Sequence, residues 1–136
     1  MRIKEALKES IDLKHKILSD ESILNSIDEI AGVCIDTYKS GCKILFCGNG
    51  GSAADAQHLA AELAGRFYFD REPLHAEALH VNTSFLTAVA NDYSFDEVFA
   101  RLVKASGKSG DVIIGLSTSG NSANIIKAFK VAKSLG

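Results

Sequence analysis

The chain has 136 residues, with 15 Lys and Arg against 17 Asp and Glu, a formal net charge of −2. This balance excludes the strongly basic surface that nucleic acid or an anionic membrane requires. The length suits one domain, and 46% hydrophobic with 24% charged residues is an ordinary globular composition. We expect a single domain over residues 1–136, with helices in 1–40 and an α/β core in 41–136.

The first ten residues carry charges where a signal peptide needs an apolar stretch, and no apolar run approaches the roughly 18 residues of a membrane span. The three cysteines, an odd number, lie at positions 34, 42 and 47 without zinc-ribbon spacing. Buried, reduced thiols in a cytoplasmic protein are the interpretation that this pattern favours.

Apolar residues at helical spacing predict two amphipathic helices at the N-terminus. The first covers residues 3–18, and the second follows Ser22, a typical N-cap, and ends before Gly41. Their apolar stripes are larger than a small sheet needs for cover. Part of this surface is therefore expected to be an oligomer contact, with packing inside the chain as the alternative. The stripes comprise Ile3, Leu7, Ile11, Leu18, Ile23, Ile27, Ile30, Cys34 and Tyr38.

After residue 42, strands and helices alternate. Strands are predicted over 43–47, 76–81 and 111–116, and helices over 52–66, 83–90, 94–106 and 121–135. A capping-box pattern begins the helix at Ser94, and Asn91 and Asp92 fall in a loop. The alternation predicts a three-layer α/β fold with a mainly parallel sheet, buried on both faces and flanked by helices. We expect the domain to continue beyond Gly136, where a helix would end.

A glycine-rich segment, Gly48–Ser52, joins the first strand to its helix. Such a loop presents backbone N–H groups at the positive end of a helix, which suits a phosphate or a sugar. The pattern Gly48-x-Gly50-x-x-Ala53 also fits a dinucleotide fingerprint. The acid that would confirm a dinucleotide should close the next strand, whereas Asp70 precedes a charged connector. We favour a phosphate or sugar ligand, with a simple tight turn as the alternative.

A second loop, Ser117–Ser122, repeats this design with hydroxyls at positions 117, 118, 119 and 122. It follows a strand at its carboxyl end, where open α/β sheets bind ligands. The loop has no Lys as in a P-loop and no acid for Mg²⁺ beside it. These features favour holding a sugar phosphate over hydrolysing a nucleotide, with a solvated linker or a helix cap as the alternative.

His58 and Glu62 are four residues apart and therefore lie on one face of the helix after the first loop. Imidazole and carboxylate are two of the ligands of a catalytic zinc site, although such pairs are also common on helix surfaces. We expect this pair to face the two loops. Asn91 and Asp92 either contact sugar hydroxyls or form a turn.

Three segments, Cys47–Leu63, Ala90–Asp92 and Leu116–Asn124, together resemble the sugar isomerase (SIS) family, and the similarity covers essentially the whole chain. The resemblance implies a flavodoxin-like or Rossmann-like fold and a homotetramer with active sites at subunit interfaces. Within the family, the chain is similar to the isomerases of heptose phosphates. This resemblance implies conversion of sedoheptulose 7-phosphate to D-glycero-D-manno-heptose 7-phosphate, which is the first step in the biosynthesis of the heptose of lipopolysaccharide or capsule.

The same resemblance assigns the site residues. It implies zinc bound by His58 and Glu62, with Glu62 also transferring the proton. A Gln and a His from a later helix complete the family's site, and that helix has no counterpart before Gly136. Two non-enzymatic alternatives are an SIS-fold protein that binds the bacterial replication initiator, which lacks the carboxylate, and a sugar-phosphate-sensing module. The implied substrate contacts are Asn49, Gly50, Gly51, Ser52, Glu62, Asn91, Asp92, Ser117, Thr118, Ser119 and Ser122.

Overall fold

The computed structural model describes residues 2–136, which divide into two compact units. The first unit ends at Asp36, and the second runs from Thr37 to Gly136. Helix α1 (Arg2–Leu18) and most of helix α2 (Glu21–Lys39) form the first unit. None of the helices in residues 2–136 has the length and hydropathy that crossing a membrane requires.

The two N-terminal helices are confirmed, but the residue that caps the second differs from the prediction. The Asp20 carboxylate accepts hydrogen bonds from the backbone N–H groups of Ser22 (3.0 Å) and Ile23 (3.3 Å). Asp20 is therefore the N-cap, because an ionised carboxylate is a stronger acceptor than the predicted Ser22 hydroxyl. That hydroxyl itself donates to Asp20.

Most side chains of the two apolar stripes are exposed, whereas Cys34 and Tyr38 near the end of α2 are half-buried. No residue of α1 is buried, and its Ile3 side chain is 77% exposed. In α2, Ile27 and Ile30 are exposed by more than half. Most helical stability in proteins comes from packing of an apolar face, and in α1 the large side chains Ile3, Leu7 and Ile11 are each more than half exposed.

The second unit is a parallel α/β sheet with helices between its strands, as predicted. The strand order is β2-β1-β3, and both pairings with β1 are parallel. The elements are β1 (Ile44–Gly48), α3 (Gly51–Ala64), β2 (Ala76–Ala78), α4 (Thr83–Asp92), a single 3₁₀ turn (Phe95–Glu97), α5 (Val98–Ser106), β3 (Val112–Leu116) and α6 (Ala123–Leu135).

Two local predictions in this unit were wrong. Asn91 and Asp92 lie in the last turn of α4, not in a loop, because the helix continues until Tyr93 N–H closes it on the Val89 carbonyl. The Ser94 side chain makes no capping hydrogen bond. Its carbonyl instead accepts from Glu97 N–H and starts the 3₁₀ turn that precedes α5.

Burial is uneven across the sheet. Ile44 to Cys47 of β1 are exposed by at most 3%, whereas every residue of β3 is only half-buried. The expectation of burial on both faces holds for β1 but not for β3, which pairs on one side only among residues 2–136.

The cysteines are all free, and only Cys47 is buried. Burial raises the pKa of its thiol to about 12.

Helix α6 approaches β3 closely at Gly115. A Cβ atom at this position would lie 2.6 Å from Ile125 Cγ2 and 2.7 Å from Phe129 Cζ, well inside van der Waals contact. A residue without a side chain is therefore required where the helix crosses the strand.

An ion pair ties the amino ends of β1 and β3 together. The Asp111 carboxylate accepts from Lys43 Nζ (2.6 Å), from Lys43 N–H (3.0 Å) and from Lys108 N–H (2.9 Å). Burial alone would raise the pKa of Asp111, but these bonds outweigh it and hold the pKa below its ordinary value. Both side chains are less than 10% exposed.

We predict that Asp111→Asn lowers the free energy of unfolding by about 3 kcal/mol at neutral pH, because Lys43 is left buried without its counter-charge. The folded pKa of Asp111 is depressed, so its contribution is full above the unfolded value of 3.8 and is lost as pH falls through the lower folded value. Urea unfolding of both proteins over this range measures the difference.

The matched control is Asp96→Asn. Asp96 lies 3.8 Å from Lys127 in a half-exposed pair, so the same change should cost less than about 1 kcal/mol. Equal losses in the two variants, or a difference for Asp111→Asn that persists below its folded pKa, would contradict the prediction.

Candidate active site

Parallel pairing brings the two predicted ligand loops to one edge of the sheet. Gly48 pairs with Leu116 at the last position of the register, so Asn49 and Ser117 leave neighbouring strands side by side. We call residues 48–52 the glycine loop and residues 117–122 the serine loop. The carboxyl edge of a parallel sheet is where open α/β folds bind ligands.

The glycine loop turns sharply from β1 into α3. A Cβ atom on Gly48 would lie 2.4 Å from the Ser52 carbonyl oxygen, which is backbone and cannot rotate away. The Ser52 and Ala53 N–H groups donate to the Asn49 and Gly50 carbonyls and so close the first turn. Gly48 thus allows α3 to begin directly against the end of β1.

The serine loop is held by its own hydroxyls. Ser117 Oγ accepts from Gly120 N–H (3.1 Å) and lies 3.1 Å from Ser122 Oγ, while Ser119 Oγ accepts from Asn121 N–H (3.2 Å). Ser122 precedes α6 but makes no side-chain cap, which disfavours a simple helix-cap role. Thr118 and Ser119 are exposed, so hydroxyl donors remain accessible beside a helix N-terminus.

A pair of asparagines joins the two loops. Asn49 of the glycine loop and Asn124, in the first turn of α6, exchange two amide hydrogen bonds of 3.0 and 2.9 Å. Asn124 is 3% exposed and Asn49 is half-buried. The loops are therefore connected directly, by groups 75 positions apart in the chain.

His58 and Glu62 lie together on α3, as predicted. His58 Nε2 is 3.6 Å from Glu62 Oε1, and the two side chains are 72% and 33% exposed. They border an open cavity of about 340 Å³ that is lined by His58, Leu59, Glu62, Leu63, Phe67 and Arg71. A partly exposed carboxylate beside an imidazole in a cavity is suited to proton transfer or metal binding.

That this pair faces the two loops stays a prediction. His58 and Glu62 follow Gly51 by 7 and 11 residues in one continuous helix, which places them roughly 10 and 16 Å along its axis. The two cavities that border His58 include no residue of either loop. The pair and the glycine loop thus lie at different positions along α3.

The donors fit part of a zinc site. Two ligands of a tetrahedral zinc ion at its usual bond lengths lie about 3.3 Å apart, close to the 3.6 Å between His58 Nε2 and Glu62 Oε1. A catalytic site needs a third protein ligand, and residues 2–136 contain no group of three His, Cys, Asp or Glu that could hold a metal. These two residues can therefore supply two ligands of a site that another group completes.

Asn91 and Asp92 are exposed at the end of α4, where Asn91 Nδ2 donates to Asp92 Oδ1 (2.9 Å). Their helical backbone does not agree with the alternative of a turn. Both remain accessible to a ligand.

Sequence patterns assign no role to three further polar residues, of which Asn124 and Arg71 contact the candidate site and His80 follows β2. Asn124 is the last residue of the segment Leu116–Asn124, which resembles the SIS family, but the sequence indicates no role for it. Arg71 donates to the Glu62 and Leu63 carbonyls (3.0 and 2.9 Å) and closes the end of α3, a contact that no sequence pattern signals. His80 follows β2; burial lowers its pKa, and its Nδ1 is buried without a hydrogen-bond partner.

The fold is that of an α/β protein with a glycine loop and a serine loop at the carboxyl ends of neighbouring parallel strands. The family model described as SIS domain matches residues 7–136. The chain belongs to the SIS domain family.

Relatives within this family are phosphoheptose isomerases. The chain is 54% identical over 134 residues to that of Clostridium acetobutylicum and 52% identical to that of Aneurinibacillus thermoaerophilus, covering 98% of this chain and 68% of each relative. It is also similar to two solved phosphoheptose isomerase structures. For that of Neisseria gonorrhoeae the TM-score is 0.89 at 47% identity, and for that of Francisella tularensis it is 0.93 at 34%. Each likeness covers 98% of this chain. It covers 68% of the Neisseria gonorrhoeae chain and 69% of the Francisella tularensis chain.

Proposed function

We propose that the protein is a phosphoheptose isomerase, which converts sedoheptulose 7-phosphate to D-glycero-D-manno-heptose 7-phosphate for heptose biosynthesis. The observation that carries this proposal is the Glu62 carboxylate beside His58 in a chain with phosphate-type loops and about half its residues identical to phosphoheptose isomerases. A sensing or scaffold protein has no need of an accessible carboxylate at this position.

The free thiols in residues 2–136 favour a cytoplasmic location.

Each part of the site has a role in this reaction. The serine loop would bind the phosphate through its hydroxyls and the N-terminus of α6, while Asn49, Gly50 and Gly51 would contact the sugar. Binding of the distant phosphate orients the reacting carbons. Ketose-to-aldose conversion moves a proton between adjacent carbons through an enediol. In our proposal, the Glu62 carboxylate takes the proton from C1 and returns it to C2, while the hydroxyl proton passes from O1 to O2, so that C1 becomes the aldehyde and C2 carries the new hydroxyl.

We predict that Glu62→Gln lowers kcat by at least about 100-fold with little change in KM, because the amide keeps the shape of the side chain but cannot accept the proton. The assay follows formation of the aldose from sedoheptulose 7-phosphate.

Glu72→Gln is the matched control, since Glu72 is exposed and only its backbone carbonyl takes part in the contacts around Arg71. It should keep wild-type turnover. Undiminished turnover by Glu62→Gln would show that another group transfers the proton.

We also propose that His58 and Glu62 contribute two ligands to a zinc ion. The support is the donor chemistry and the 3.6 Å separation described above. When bound, zinc would polarise the oxygens of the substrate next to the carbon that loses its proton.

Zinc removal should therefore abolish turnover, and zinc addition should restore it. Independently of activity, His58→Ala should lower zinc affinity by more than about tenfold, measured by calorimetry on the chelator-treated protein. The control is His75→Ala, which removes the imidazole of another exposed pair, 2.8 Å from Glu77. If the two variants bind zinc equally, His58 is not a ligand.

We further propose that the protein is a homotetramer whose active sites combine residues from different subunits. Two observations support this assembly: the exposed apolar stripes of α1 and α2, and the separation of Glu62 from the loops along α3. A second copy would cover the stripes and bring a His58–Glu62 pair to a set of loops.

Leu7→Lys should lower the mass measured by light scattering and lower turnover with it, because it places a charge in the α1 stripe. Leu7 is 60% exposed in the chain, so the change disturbs no core. Glu9→Lys, on the opposite face of the same helix, should keep the mass of the wild type. A tetramer retained by Leu7→Lys would contradict the role of this stripe.

A further inference from the structure

Asn124 is the most deeply buried side chain among those at the two loops, and nothing in the proposed reaction yet uses it. It is 3% exposed, lies two residues after the serine loop and contacts the glycine loop. A buried amide must satisfy its donors and acceptors within the protein. What Asn124 bonds to therefore indicates what it does.

The Asn49–Asn124 pair is reciprocal. Asn49 Nδ2 donates to Asn124 Oδ1 (3.0 Å), and Asn124 Nδ2 donates to Asn49 Oδ1 (2.9 Å). Taken alone, such a pair would be equally satisfied if both amides were rotated by 180° about their last bond. The orientation of the two amides must come from a third group.

The backbone of α6 supplies that third group. Ile125 N–H donates to Asn124 Oδ1 (3.0 Å), so this atom must be an oxygen and not an amide nitrogen. The atom of Asn49 that faces it must then be the nitrogen. Through Asn124, one N–H of α6 thereby determines which end of the Asn49 amide is donor and which is acceptor.

The pair leaves Asn49 able to bind a ligand. An amide has two N–H hydrogens and two oxygen lone pairs, and Asn124 takes one of each. Asn49 is half-buried, so its remaining hydrogen and lone pair are available to a sugar hydroxyl.

We infer that Asn124 is a positioning residue, which holds the Asn49 amide in the one orientation that binds the sugar part of the substrate. This inference rests on the proposed function for the identity of the ligand. The serine loop does not depend on the pair, because Gly120 N–H and Asn121 N–H bond to its own hydroxyls. Asn124 should thus act on sugar binding and not on phosphate binding.

The experiment compares calorimetric affinities for sedoheptulose 7-phosphate and for inorganic phosphate in the wild type, Asn49→Ala, Asn124→Ala and the double variant. The ratio of the affinity for sedoheptulose 7-phosphate to the affinity for phosphate measures how much the sugar part adds to binding. Asn124→Ala should lower this ratio about tenfold, the value of one hydrogen bond, and change phosphate affinity less than about twofold. The double variant should be no worse than Asn49→Ala alone, because Asn124 acts through Asn49.

The inference would be overturned if the losses of affinity for sedoheptulose 7-phosphate in the two single variants add in the double variant. It would also be overturned if Asn124→Ala loses phosphate affinity to the same extent, or if the wild type binds both ligands with equal affinity. Val103→Ala, a core change in α5 away from the loops, controls for lowered stability and should leave the ratio unchanged.

If Asn124→Ala does not fold, Asn124→Leu decides the question. It fills a similar volume without adding charge and removes both hydrogen bonds to Asn49 as well as the acceptor for Ile125 N–H. A lower ratio supports the inference, and an unchanged ratio overturns it. A wild type that binds the sugar phosphate without isomerising it would contradict the proposed activity, while the same affinities would still test the role of Asn124.

Discussion

The parallel pairing of β1 with β3 is the constraint on which the site depends. Its register runs without interruption from Ile44 and Val112 to Gly48 and Leu116, so both strands end at the same level. A slip of one residue would turn the buried side chains of β1 toward the opposite face and separate the two loops. Burial of β1 and the Lys43–Asp111 pair at the far end both oppose such a slip.

Helix α3 connects the glycine loop to the His58–Glu62 pair. It begins at the glycine loop, and Arg71 closes its other end by bonding to the Glu62 and Leu63 carbonyls. The distance along the helix between the glycine loop and the His58–Glu62 pair is set by the number of residues between them. In the proposed assembly, identical subunits would bring a His58–Glu62 pair to a set of loops.

The features that the sequence predicts well are those that depend on neighbouring residues. The helical period places His58 beside Glu62, and the apolar strands followed by Gly/Ser segments predict two loops that lie at one edge of the sheet. The predictions fail where a competing contact decides. Asp20 caps α2 in place of Ser22, and α4 extends through Asp92 because no residue stops it earlier.

Long-range contacts are the part that the sequence does not predict. The Asn49–Asn124 pair joins residues 75 positions apart, and Arg71 binds backbone carbonyls, which leave no mark in the sequence. The half-buried state of β3 likewise depends on how many strands flank it and not on its own apolar residues.

Gly48 and Gly115 are the positions where α3 and α6 come closest to the sheet, and neither has a side chain to offer a ligand. An added methyl group at Gly48 would collide with the Ser52 backbone, and at Gly115 with Ile125 and Phe129. At Gly48 the obstacle is backbone, so α3 itself would have to move, whereas at Gly115 the side chains of Ile125 and Phe129 would have to repack. The spacing between α3 and the end of β1 thus depends on an atom that Gly48 lacks, and a redesign of the glycine loop would have to begin at the sheet beneath it.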